Sequence, residues 1–189
     1  MKRVVRITES DIHKMVHKTI QDLVKEDVGG DFNIKNVFHV SDARFEEFKI
    51  HPKGYPYLFF SNKPIKLHRN QQTYVCNLSL HNPLVFDSGT SYGYPLWLYL
   101  SNGDDELIPE EEFTKEKYDG YLGCPYEFWE RVYYDDDIYA TDDIPLIVKE
   151  INLGYDGVII EGVQEGNNLD FVDDYIVFDP KQVQIVNRY

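Results

Sequence analysis

The residues best suited to chemistry sit in two short apolar runs far apart in the chain. In Val37-Phe38-His39-Val40-Ser41 a histidine is followed two positions on by a serine, so an extended backbone sends both side chains to one face. In Asp173-Asp174-Tyr175-Ile176-Val177-Phe178-Asp179-Pro180-Lys181-Gln182-Val183 an acidic pair opens an apolar strand, where a carboxylate gains nothing from packing. Side chains of these types bind hydroxyl groups and stabilise developing positive charge. Each also has a structural role open to it, as a half-buried hydrogen-bonded histidine and as a carboxylate that blunts a strand end. Alternation sends Asp173 and Asp174 to opposite faces, so only one of them can serve a given cleft. Glu161 and Glu165 are further candidates for the carboxylate.

Composition narrows the partners. The chain has 189 residues, a formal charge of −14 and an isoelectric point near 4.7. Phosphate contact needs clustered Lys and Arg, so a general binder of nucleic acid or of anionic membranes is excluded. The 15 Tyr and 11 Phe point to strands and aromatic-lined grooves. Cys76 and Cys124 have neither metal-ligand spacing nor the density of a disulfide scaffold, which implies a reducing, cytoplasmic setting and no bound metal. No segment reaches membrane-spanning length, and the glycines lack the flanking pattern of a dinucleotide loop.

The elements that must position these residues follow from periodicity. Thr8 and Asp11 open a helical pattern through Ile12, Met15, Val16, Ile20, Leu23 and Val24. Gly29-Gly30 then reads as a hinge, which separates an N-terminal amphipathic helix (1–30) from a main domain (31–189). That helix either packs on its own domain or docks on a partner assembly. Strands are expected at Val37–Val40, Tyr57–Phe60 and Thr73–Leu80, with Trp97–Leu100 a fourth strand or a buried helical turn, and at Tyr175–Phe178 the last strong strand. Residues 102–143 are acidic and aromatic without a clear period and read as a solvated surface. Asp142-Asp143-Ile144-Pro145 starts a helix that runs through Ile147, Val148 and Ile151 and stops at Gly154, before a strand from Gly157. Strands with helices between them make an α+β domain.

Three segments in this order, Phe38-His39-Val40-Ser41, Leu58-Phe59-Phe60-Ser61-Asn62 and Asp173-Asp174-Tyr175-Ile176-Val177-Phe178-Asp179-Pro180-Lys181-Gln182-Val183, resemble the three motifs of ADP-ribosyltransferases. The branch is that of diphtheria toxin and poly(ADP-ribose) polymerase, with its His-Tyr-Glu pattern. Leu80-His81-Asn82-Pro83-Leu84 and Leu153-Gly154-Tyr155-Asp156-Gly157-Val158-Ile159 resemble the polyvalent-protein members of that clan from phages and mobile elements. The Ile7-Thr8-Glu9-Ser10-Asp11-Ile12-His13 start resembles N-terminal segments of Bacteroidetes phage proteins, which implies packaging in a virion or docking on a phage assembly.

The resemblance implies a split antiparallel β-sheet core with flanking helices, NAD as substrate, and transfer of ADP-ribose to a protein or nucleic-acid acceptor of the host. It implies that Asp174 stabilises the oxocarbenium-like centre at the ribose and that His39, supported by Ser41, holds a ribose hydroxyl. Val40 stands where a glycine commonly contacts the nicotinamide amide through its backbone. Phe59 stands at the family tyrosine and walls the nicotinamide pocket, and Ser61 lies at its floor. A second stacking ring is expected from His68, with Tyr74 as its substitute. The chain departs from the pattern in having Asp for Glu at 174, Val for Gly at 40 and Phe for Tyr at 59.

Overall fold

Alternating apolar and polar residues from residue 34 onward produce seven strands that join in one sheet. They are β1 Ile34–Ser41, β2 Leu58–Ser61, β3 Gln72–Leu78, β4 Pro83–Asp87, β5 Gly157–Gln164, β6 Phe171–Val177 and β7 Val183–Arg188. The structure, a computed structural model, describes residues 32–65, 70–87, 96–101, 108–134, 143–164 and 171–189. The chain divides into two compact units, Met1–Asp31 and Phe32–Tyr189, and the expected N-terminal helix lies outside the described residues. Short helices follow β4: α1 Trp97–Leu100, α2 Lys115–Tyr118, α3 Tyr126–Tyr134 and α4 Ile144–Ile151. The fold is mixed α+β. Among the described residues, no helix is long and apolar enough to cross a membrane.

The strand order is β4-β5-β6-β2-β1-β3-β7. All neighbours are antiparallel except β4 and β5, which run parallel, so the sheet is mixed and not purely antiparallel as expected. The strand at Pro83–Asp87 went unread because it is five residues long and starts on a proline, the one strand position where a missing N–H costs little. The last strand, β7, was also missed. It is a sheet edge whose burial alternates only weakly, because one side faces solvent.

Two cores cover the sheet on opposite faces. On one face Val158, Ile160, Val172, Ile176, Leu84 and Phe86 pack against Leu100, Phe128, Trp129 and Ile147 of the helices. On the other face Val37, Phe60, Tyr74, Cys76, Leu78 and Val177 pack under Phe48, with Phe45 half-buried beside them. The helices thus cover the β4-β5-β6 end and the long connection 42–57 covers the β1-β3 end.

Within the stretch 102–143, the described residues 108–134 are more ordered than their sequence suggests. Phe113, Tyr118, Phe128, Trp129 and Val132 are core residues, and the Phe113 ring stacks on Tyr133 at 4.3 Å. The carboxylates of Glu110, Glu111, Glu112 and Glu130 stay on the surface. A nine-residue helix with adjacent buried positions 128 and 129 presents too few repeats for its period to be read. Helix α4 ends at Asn152, which takes the left-handed conformation (φ 46°), two residues before the glycine expected to stop it.

The acidic C-terminal motif and the two loop motifs prove to be one hydrogen-bonded knot. The Asp156 carboxylate accepts the backbone N–H of His81 and of Asn82, at 2.6 and 3.0 Å. Asn82 Nδ2 donates to the Gly154 carbonyl, and Gln182 Nε2 donates to the carbonyls of Ser79 and Asp156. Asp179 and Gln182 cap each other's backbone across Pro180-Lys181. These polar residues therefore join the β3-β4, α4-β5 and β6-β7 turns. Gly157, at the centre, has no room for a side chain: a Cβ there would lie 2.3 Å from the Ile176 carbonyl oxygen and 2.4 Å from Leu80 Cδ2.

Gly157→Ala should consequently cost about 2 kcal/mol or more through overpacking. Gly120→Ala, at a left-handed position (φ 81°) with open space around it, should cost about 1 kcal/mol. Thermal unfolding of the two variants should show the larger fall in midpoint for Gly157→Ala.

Candidate functional site

The three motif strands are consecutive neighbours in the sheet, in the order β6-β2-β1. Asp174 pairs with Ser61, and Ser61 pairs in turn with Phe38, so one row of residues crosses all three strands. Strand β2 runs with β6 over Leu58–Ser61, but with β1 it registers at the single pair Phe38–Ser61. The sheet comes apart along residues 39–41 and 58–60.

His39 spans that seam. Its Nδ1 lies 2.8 Å from the Phe59 carbonyl oxygen. A carbonyl only accepts, so Nδ1 carries the proton and, in the neutral ring, Nε2 is left as an acceptor. Among the described residues nothing bonds Nε2. Burial pushes the imidazole pKa below 6.5 and outweighs the opposing pull of the Phe59 carbonyl, which keeps the ring neutral at ordinary pH. Four aromatic rings surround it: Phe48 at 5.0 Å edge-on, Phe60 at 5.6 Å, Phe45 at 6.0 Å and Tyr74 at 6.3 Å.

The resemblance requires His39, Phe59 and Asp174 to face one cleft, and the structure instead divides them between the two faces of the sheet. His39 stands in register with Tyr74 and contacts Phe60, whereas Phe59 packs with the opposite core and Asp174 pairs with Ile160 of that core. Strand alternation is the cause, since Phe59 and Phe60 must leave on opposite sides. The two sets meet at the seam, where the imidazole reaches the main chain of Phe59.

The other expected residues fall as follows. Val40 is extended, pairs with Thr73 and does not take a positive φ, so its backbone needs no glycine. Ser41 Oγ accepts the Ala43 N–H at 3.1 Å and opens the connection to β2. Ser61 is buried and its Oγ donates to the Lys63 carbonyl at 2.6 Å, so its hydroxyl proton is spent on the turn after β2. Phe59 is half-buried, and Asp174 is 0% exposed. His68 and Glu165 lie outside the described residues. Tyr74 cannot serve as a stacking ring for a ligand, because it is fully buried and already stacked on Phe45 at 4.2 Å and 7°.

Geometry also separates the two neighbouring aspartates. Asp173 Oδ2 accepts from Asn62 Nδ2 at 2.9 Å, and Oδ1 accepts the N–H of Gly162, whose φ of 68° marks a bulge in β5. Asp173 thus holds the end of β2 and the bulge together, a structural task that its sequence did not reveal. Asn62 was likewise unread as a functional candidate. Its Oδ1 is buried and accepts no hydrogen bond among the described residues.

An NAD molecule offers ribose hydroxyls and carboxamide N–H groups as donors. His39 Nε2 at the β1-β2 seam and Asn62 Oδ1 at the end of β2 are acceptors of the kind such groups need. The two cysteines add no redox chemistry here: both are free and buried, with the Cys76 thiol pushed up to about 12 and that of Cys124 raised as well. Among the described residues, no three His, Cys, Asp or Glu side chains gather to hold a metal ion. No family model, no curated protein and no solved structure matches this chain.

The His39 environment has a consequence for stability. Its native pKa lies below the unfolded value of 6.5, so below that pH the unfolded chain takes up a proton that the native ring refuses. Stability should therefore fall as pH drops below 6.5, by at most about 1.4 kcal/mol per pH unit from this group, until the native ring protonates. His39→Gln keeps a donor for Phe59 and removes the titration. Urea unfolding of both proteins at several pH values from 7.5 downward should show a shallower acid loss for the variant.

Proposed function

We propose that the chain is an NAD-dependent mono-ADP-ribosyltransferase acting on a host macromolecule, encoded by a phage or mobile element. One observation carries this reading: the three segments that resemble the family's motifs lie on adjacent strands, and the histidine among them is locked as a neutral acceptor at their seam. The resemblance supplies the reaction. The bond between nicotinamide nitrogen and ribose C1′ breaks with its electron pair leaving on nicotinamide. An acceptor nucleophile forms the new bond to C1′ and loses a proton to solvent.

In that reaction the neutral Nε2 of His39 accepts a ribose hydroxyl, and the extended backbone of Val40 lines the same seam. Phe59 meets the seam through its carbonyl, while its ring packs in the helix-side core and does not face His39. Asp174 is the family carboxylate by position, but it leaves the sheet on the face opposite His39, so the strands must rearrange before it can stabilise the oxocarbenium-like centre, a contribution worth about 100-fold or more. Asp173 is tied to Asn62 and Gly162 and holds the turn.

A specific observation favours a second reading, an inactive binding module of the same architecture. Asp174 is 0% exposed, and an aspartate is one methylene shorter than the family glutamate, so the carboxylate reaches the ribose only if the seam opens. Incubation of the folded protein with labelled NAD and a bacterial lysate separates the two. Transfer of label to protein or nucleic acid, lost about 100-fold in Asp174→Asn, supports the enzyme. NAD binding without transfer or hydrolysis supports the binding module and rejects the enzyme.

A further inference from the structure

The connection 42–57 between β1 and β2 has no regular structure, yet it lies as a strap across the His39 face of the sheet. Phe45 and Phe48 belong to this strap, and both rings pack edge-on against the imidazole, which is half-buried. A long irregular segment costs conformational entropy to hold in place, so its fastenings matter. Two residues of the sheet supply them. The Tyr74 hydroxyl donates to the Ala43 carbonyl at 3.1 Å and accepts the Phe45 N–H at 2.9 Å, while its ring stacks on Phe45. From the neighbouring strand, Arg188 Nη1 pairs with the Glu46 carboxylate at 2.7 Å and donates to the Phe45 carbonyl at 3.4 Å.

We propose that Tyr74 is a positioning residue for His39: by pinning the strap it holds Phe45 and Phe48 against the half-buried imidazole and so keeps the ring neutral, with Nε2 the atom that accepts a hydrogen bond from a ligand hydroxyl or amide. The sheet alone does not do this. Strand β1 presents His39 toward the strap, and Phe60 covers only one side of it. If the strap lifts, water reaches the ring, the charged form gains hydration, and Nε2 becomes a donor that repels a donor ligand. The strap carries Asp42, Arg44, Glu46, Glu47, Lys49, His51 and Lys53, and β7 carries Arg188; among the described residues none bonds the imidazole, Glu46 is paired with Arg188 and Glu47 with Lys49. Burial therefore governs the ring, and the strap is what provides it. The proposal rests on the reading of His39 as a ligand-holding group.

The test is an NMR titration of labelled histidine in the full chain, for the native protein, Tyr74→Phe and Arg188→Met. Tyr74→Phe keeps the ring and strands the Ala43 carbonyl and Phe45 N–H, so the His39 midpoint should rise toward 6.5, with a smaller rise in Arg188→Met. A merely structural tyrosine would lower the unfolding midpoint and leave the histidine titration where it was. An unmoved midpoint in folded Tyr74→Phe overturns the proposal; should that variant not fold, an unmoved midpoint in both Arg188→Met and Glu46→Gln overturns it. Calorimetric titration with NAD at pH 8 and pH 6 distinguishes the layers. A shifted midpoint without NAD binding upholds the strap and rejects the NAD reading, whereas NAD binding with an unmoved midpoint rejects the strap alone.

Discussion

The seam between β1 and β2 is closed by one ladder pair and one imidazole. A sheet whose two ends are covered on opposite faces must turn somewhere, and the turn falls here, between the β4-β5-β6-β2 half under the helices and the β1-β3-β7 half under the strap. At such a place main-chain groups lose their ladder partners, and a buried carbonyl without a donor costs about 1–3 kcal/mol. His39 supplies the donor for Phe59. The same bond sets the tautomer, so the interaction that joins the halves also prepares the ring for a ligand.

Two kinds of polar residue are thereby distinguished. Asp156, Asn82, Gln182 and Asp179 satisfy backbone groups at the three turns, and Asp173 and Asn62 do so where β2 meets β6 and the bulge of β5. Their spacing in sequence resembles motif residues, yet their work is to hold turns together. His39 Nε2 and Asn62 Oδ1 are acceptors that the described residues leave unused. Buried polar atoms of native folds nearly always find partners, which sets Asn62 Oδ1 apart from the polar atoms that hold the turns.

Much of the fold was legible in the chain. Strands β1, β2, β3, β5 and β6 announce themselves by alternation and by flanking turns, and helix α4 by Ile147, Val148 and Ile151 behind Pro145. Strand β4 and strand β7 were not, because a strand of five residues opening on proline and an edge strand with one wet side carry little periodicity. The aromatics at 113–133 were read as surface since acidic neighbours hide a core whose members come from several short elements.

The sequence by itself determined which side chains could act, His39 and the Asp173-Asp174 pair, because residue type and strand period are local properties. Only the tertiary structure decided which of them meet. Whether Asp173 or Asp174 is occupied by Asn62, whether Tyr74 is a platform or a pin, and which nitrogen of His39 is left open all depend on partners more than 10 residues away in the chain. Hydrogen bonds of that range are set by strand register, and register is fixed by the packing of the whole sheet.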